Sequence, residues 1–293
     1  MFENVLVGVD GGDGGRDAIV LAQRLGGQRA DFLLMNVFSR PAVRAGAPIW
    51  VAACCRYAED VLSRERDETG IDAELVTCCN HSPARALHDR AVREGCDLVV
   101  VGASHRHHLL GLTLGDDALA TVDGSPWAIA IAPSGYRDHR AAWKTIAVGD
   151  DGSAQSARAL EVARGLSSNH HAAIQAVSVI GPENLSYLDL TLPDWSPVAN
   201  RLENRRQVQL DATRGVHGRV LQGDAVDVLA DLSDAVDLLI VGTRGQGRLR
   251  RLINGSTACR LAARTRCPLL ILPSVSSPRS AESDATGSGS SRA

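Results

Sequence analysis

Lysine is almost absent: among 31 basic residues, Lys144 is the only one. A Walker A loop sets Gly-Lys-[Ser/Thr] against phosphates, and no such tripeptide occurs. A kinase needs its phosphate-pairing lysine on a strand. Lys144 opens a strand, but nothing kinase-like follows it. Positive charge is not in excess either, with a net charge of -3 and a pI near 6.3, which argues against a nucleic-acid partner. No apolar run approaches the roughly 20 residues that span a bilayer. Met1-Phe2-Glu3-Asn4 leads straight into an apolar strand, without a basic n-region or cleavage site. The expectation is a cytoplasmic protein without membrane contact. No Gly-x-Ser-x-Gly elbow occurs, so a hydrolase triad has no nucleophile motif. Asp10-Gly11-Gly12-Asp13 lacks the glutamate of a calcium loop, since Leu21 stands at its twelfth position.

Seven cysteines are present, an odd count without an export signal, which disfavours a disulfide framework. Cys54-Cys55 and Cys78-Cys79 are vicinal pairs, and His81 lies near the second. Their spacing matches no common zinc pattern. Structural thiols are the favoured reading, with a soft-metal or redox site as the alternative.

What is present is a repeat. Asn4-Val5-Leu6-Val7-Gly8-Val9-Asp10 matches Thr145-Ile146-Ala147-Val148-Gly149-Asp150-Asp151 at an offset of 141. Asp97-Leu98-Val99-Val100-Val101-Gly102 matches Asp237-Leu238-Leu239-Ile240-Val241-Gly242 at 140. The closing segments Pro126 to Pro133 and Pro268 to Pro273 follow at similar offsets. Such a period is too long for a solenoid and means duplicated domains.

Strands are expected near 4–9, 32–38, 72–77, 97–102 and 127–132, and near 144–149, 172–179, 217–221, 237–242 and 268–272. Their Val, Ile and Leu content suits strands covered by helices on both faces. Helices are expected near 15–26, 51–69, 83–94 and 115–123, the first with Ala18, Leu21, Ala22 and Leu25 on one face. The alternation gives an α/β fold with a five-stranded parallel sheet in each copy. The expected division is 1–133, a linker at 134–143, 144–273, and a disordered Ser/Gly/Ala tail at 274–293.

Ligands of open parallel sheets bind beyond the strand C-termini, where the strand order reverses. There the second copy reads Gly242-Thr243-Arg244-Gly245, with Gly255-Ser256-Thr257 opening the next helix. The spacing is Gly-x-x-Gly-x9-Gly-Ser. Glycines let a phosphate approach the backbone. The helix N-terminus offers free N–H groups, Ser256 and Thr257 add hydroxyls, and Arg244, Arg248, Arg250 and Arg251 add positive charge. The alternative is a turn capped by Ser256. Trp195 lies in a long segment after the second strand, read either as a lid or as an irregular loop.

This loop, the Asp-Gly-[Ser/Gly] exit of each first strand and the Pro-x-x-x-x-Pro closing strand resemble universal stress proteins of the tandem type. The resemblance spans about 1–133 and 143–273. It implies two flavodoxin-like (adenine nucleotide alpha hydrolase-like) domains of strand order 3-2-1-4-5. It also implies that the fifth strands meet in an internal pseudo-dimer, with further homo-dimerisation open. The implied ligand is ATP, with Mg2+. Asp151 is then expected to reach the adenosine and the Val179 backbone to pair with adenine, while Gly242, Gly245, Gly255 and Ser256 hold phosphates.

The copies depart from that pattern in different ways. Asp150 stands where an uncharged residue is usual, so its carboxylate either weakens nucleotide binding or points to solvent. In the first copy His105 replaces the second loop glycine and Asp116 replaces the hydroxyl. Two carboxylates, Asp116 and Asp117, repel an anion there. Asp10, Val37, Gly102 and Gly115 therefore mark a weak site at best. A proton-sensitive or metal-binding use of His105, His107 and His108 is the alternative to a solvated loop. The leading functional expectation is an ATP-binding stress-response switch acting on a protein partner of unidentified kind. A slow ATPase or adenylyl transferase and a scaffold that binds no nucleotide are the alternatives.

Overall fold

Both sets of apolar runs become strands of one ten-stranded sheet. The structure, a computed structural model, describes residues 1–39, 47–103, 127–139, 141–181, 196–242 and 256–273. In the first half β1 (Phe2–Gly8), β2 (Gly26–Phe38), β3 (Ala73–Cys79), β4 (Leu98–Gly102) and β5 (Ala128–Ala132) lie in the order β3-β2-β1-β4-β5. In the second half β6 (Thr145–Gly149), β7 (Ala173–Ile180), β8 (His217–Gln222), β9 (Leu238–Gly242) and β10 (Leu269–Leu272) mirror it as β10-β9-β6-β7-β8. All neighbours within a half pair in parallel. The halves join where β5 and β10 pair antiparallel, Leu270 opposite Ala130.

The first-half helices are α1 (Asp13–Leu25), α2 (Ala47–Thr69) and α3 (Pro83–Glu94); the second-half helices are α4 (Ala154–His170), α5 (Ser196–Asp211), α6 (Ala225–Leu232) and α7 (Ser256–Arg264). Alternate strand residues face opposite layers. Val5, Val7 and Val9 pack with Ala18, Leu21 and Leu62 of α1 and α2. Leu6 packs on the other face with Met35 and with Ala86 of α3. Burying each valine, leucine or methionine among them stabilises by about 1.5–3 kcal/mol.

Local chemistry sets the ends of the elements. Ser82 Oγ accepts the Arg85 N–H, Pro83 occupies the first turn, and Gly95 closes α3 at a φ of 61°. Asp97 Oδ1 and Oδ2 accept the N–H groups of Asn4 and Glu3, at 3.0 and 2.8 Å. Asp237 repeats this on Lys144 and Thr145 at 2.7 and 2.8 Å. The repeated aspartates thus tie the foot of each fourth strand to the start of the first.

Several boundaries differ from the sequence expectation. β2 starts six residues early because the chain leaves α1 at Gly26 directly in extended conformation. α2 extends back to Ala47, and α1 starts at Asp13. The helix expected at 115–123 lies outside the described residues, as does the tail from 274.

The segment expected as a plain connector is part of the core. Tyr136 opens a single 3-10 turn, Tyr136–Asp138, and Trp143 is only 1% exposed. Trp143 Nε1 donates to the Tyr136 hydroxyl at 2.9 Å, and Arg24 of α1 donates to the same oxygen at 3.1 Å. Buried Asp17 accepts the N–H groups of Gly135 and Arg137 at 2.9 and 2.7 Å. On the other side, the Trp143 ring lies 4.4 Å from that of His170 in α4. The linker therefore locks onto α1 and packs Trp143 against α4 of the second half.

Candidate functional site

The exit of β6 is a turn shaped by glycine and two aspartates. Gly152 has a φ of +81°, a conformation that favours glycine. Asp151 Oδ1 accepts the Ser153 N–H at 3.0 Å, an Asx-type turn. Ser153 caps α4, its Oγ accepting the Ser156 N–H at 3.2 Å. The other Asp151 oxygen, Oδ2, is buried and has no hydrogen-bond partner among the described residues. A buried carboxylate oxygen without a donor is costly, and such an atom can accept a hydrogen bond from a hydroxyl or an amine.

Register brings the expected residues together. Gly149 pairs with Val177, and the Asp150 N–H donates to Val177 O at 2.8 Å. Val179, two residues on, therefore stands level with Asp151 at the end of β7. Val148 pairs with Ile240, which places Gly242 level with Asp150 at the end of β9. Asp151, Val179 and Gly242 thus end three adjacent strands, with β6 and β9 flanking the point where strand order reverses. Ser256 and Thr257 open α7. Arg244, Gly245 and Gly255 lie outside the described residues, as do the side chains of Ser256 and Thr257.

Gly242 has a packing role as well. A Cβ there would come 3.0 Å from Cβ of Gln155 on α4. Its first-half counterpart Gly102 is tighter, since a Cβ would run into the carbonyl of Gly14. Both glycines let the first helix of their half close on the fourth strand.

In the first half Asp10 is exposed, and its Oδ1 accepts the Gly12 N–H at 3.0 Å. Val37 pairs with Cys78 near the end of β2. Gly12 gives α1 no side-chain cap. Gly115, the His105, His107 and His108 cluster, Asp116, Asp117 and Trp195 lie outside the described residues.

Of the two expectations for Asp150, the structure overturns the one that turns it to solvent. Its side chain is 9% exposed and faces Arg206 of α5, which offsets its charge. Arg206 Nη2 stands 2.8 Å from Asp150 Oδ1, an ion pair without the angle of a directed hydrogen bond. Arg206 Nε donates to Ser178 Oγ at 3.1 Å, and Nη1 to Gln209 Oε1 at 3.0 Å. Asp150 Oδ1 also accepts the Gly152 N–H at 2.9 Å. The sequence reading missed Arg206 and Ser178. The only signal was Asp150 aligned with Val9, which implies a buried partner of opposite charge somewhere in the second half.

The cysteines divide by environment. Burial pushes the Cys96 thiol up to about 11 and the Cys267 thiol up to about 12. Desolvation also raises Cys78, with the neighbouring Cys79 adding to the effect. Cys55 Sγ lies 3.4 Å from Thr77 Oγ1, and Cys79 is exposed. Among the described residues no three His, Cys, Asp or Glu side chains group as a metal site. No described helix is long and apolar enough to cross a membrane.

The model of the universal stress protein family matches twice, at residues 1–133 and 142–273. A Thermus aquaticus protein described as a universal stress protein in the QAH/OAS sulfhydrylase 3' region is 28% identical over 144 residues, 44% of this chain and 98% of its own. A Mycolicibacterium smegmatis universal stress protein is 30% identical over 138 residues, covering 43% of this chain and 47% of its own. The crystal structure of a universal stress protein from Archaeoglobus fulgidus superposes with a TM-score of 0.62 at 16% identity, covering 92% of this chain and 96% of its own. With both halves matched and the fold shared along nearly the whole chain, this protein belongs to the universal stress protein family, with two of its domains in tandem.

Proposed function

We propose that the second half binds ATP, with Mg2+, across the ends of β6, β7 and β9, and that occupancy switches the protein's affinity for a partner protein in a stress response. The observation that carries this is the buried Asp151 Oδ2, without a hydrogen-bond partner among the described residues, level with Val179 and beside the strand that leads into the glycine loop. Asp151 would take the adenosine and the Val179 backbone the adenine edge. Gly242, Arg244, Gly245, Gly255, Ser256 and Thr257 would hold the phosphates. A ligand that prefers one conformation shifts the population toward it.

Hydrolysis in this reading is slow at most. Asp150 is held by Arg206 and by the Gly152 N–H, so it is not a free base for water. The first half, whose fourth strand leads to His105 and Asp116 in place of glycine and serine, stays empty at ATP concentrations that fill the second. The proposed setting is the cytoplasm, where ATP is abundant. The test is equilibrium binding of a fluorescent ATP analogue to the wild-type chain and to Ser256→Asp. Loss of binding in the variant, with unchanged circular dichroism, supports the site. Equal affinity of the two proteins contradicts it.

A further inference from the structure

We propose that Arg206 is a positioning residue of the second-half site, holding the exits of β6 and β7 at the spacing an adenosine ligand needs; this rests on the nucleotide reading above. One guanidinium touches the neighbours of both expected adenosine-binding residues. Its Nε holds Ser178, which precedes Val179, at 3.1 Å. Its Nη2 faces Asp150, which precedes Asp151, at 2.8 Å. A Cβ on Gly152, which follows Asp151, would come 2.8 Å from Nη1. Arg206 therefore spans from one strand exit to the other beneath the crevice.

The first half makes the same span by a different route. Gly8 pairs with Met35 as Gly149 pairs with Val177, so Asn36 stands where Ser178 stands. Buried Asn36 donates its Nδ2 directly to Val9 O at 2.8 Å. Val9 takes the place of Asp150. Val61 takes the place of Arg206, since a Cβ on Gly11 would meet Val61 at 2.8 Å just as one on Gly152 meets Arg206. A serine hydroxyl is one bond shorter than an asparagine amide and does not make this reach. In the second half the arginine of α5 makes it instead. A site whose donors sit on two strands binds well only when its supporting side chains fix the distance between them.

This predicts a rescue. In the full chain, Asp150→Val with Arg206→Val imports the apolar pair of the first half and keeps the fold, but removes the span. ATP affinity should fall about tenfold, the equivalent of one well-placed hydrogen bond. Adding Ser178→Asn supplies the first-half bridge and should restore affinity to within about twofold of wild type. Thermal melting of both variants should stay close to wild type, which separates positioning from stability. Calorimetric titration of Mg-ATP reads all three proteins. Unchanged affinity in the double variant overturns the positioning role while leaving the nucleotide reading intact. A triple variant as weak as the double overturns the bridge and assigns Arg206 a direct ligand contact. No binding to the wild-type chain overturns the nucleotide reading, and the inference with it.

Discussion

Beneath the first-strand exit of one half lie Val9, Val61 and Asn36; beneath that of the other lie Asp150, Arg206 and Ser178. The backbone above them is the same turn, with Gly11 at a φ of +78° and Gly152 at +81°. A valine pair stabilises through burial alone and imposes little direction. A buried ion pair offsets its attraction by desolvation, so its net stabilisation is small. What it adds is orientation, because Arg206 reaches Asp150 and Ser178 from a single guanidinium. The halves differ on a second surface as well. α1 grips the linker through Asp17 and Arg24, whereas the residues of α4 at the repeat offset are Arg158 and Gly165. The first half carries the connector, and the second carries the ion pair beneath its first-strand exit.

The sharpest way to break this division is Trp143→Ala. The side chain is fully buried and bonded to Tyr136, so the loss should be about 3–5 kcal/mol, read by urea unfolding. A loss under about 1 kcal/mol would make the linker a tether after all. Next comes Arg206→Leu alone, which strands the Asp150 carboxylate and should destabilise by about 3 kcal/mol. Val61→Ala in the first half should cost less, and adding Asp150→Val to Arg206→Leu should recover most of the loss. Equal effects at Val61 and Arg206 would erase the contrast.

Alkali offers a smaller test. The ordinary value of Cys267 is 9.0 and its folded value is about 12. Below 9 both states keep the proton. Between the two values the unfolded chain sheds it first, so stability falls as pH rises, by about 1.4 kcal/mol per pH unit for one thiol. Cys267→Ala should flatten the melting-temperature slope above pH 9. Cys96→Ala should flatten it over the shorter range up to about 11. An unchanged slope in both contradicts the burial of these thiols. The smallest effects belong to the caps. Ser153→Ala should cost about 1 kcal/mol, while Gly12→Ser should gain a few tenths.

Much of the fold was legible in the sequence because it is written twice. The matched Asp97 and Asp237 marked equivalent strand starts, and the structure explains them as anchors for the N–H groups of Asn4 and Thr145. The helical spacing of Ala18, Leu21, Ala22 and Leu25 gave the buried face of α1. In the site, Gly242 follows from the strand order and Asp151 and Val179 from the family resemblance, and the register sets all three at the ends of adjacent strands. Arg206 was not legible, because α5 lies in a stretch whose alignment to α2 is set by packing rather than by matching residues. Val61 and Arg206 share a place only through what they touch. Tyr136 and Trp143 were missed for a similar reason: their partners, Arg24 and His170, lie on α1 and α4, which only the folded chain brings together.

The central claim is that one half binds nucleotide and the other does not. Calorimetric titration of Mg-ATP into the full chain, beside the Gly245→Asp variant, tests it most directly. The account predicts one ATP per chain, abolished by the substitution without loss of fold. Two equivalent sites, or binding untouched by Gly245→Asp, would contradict it.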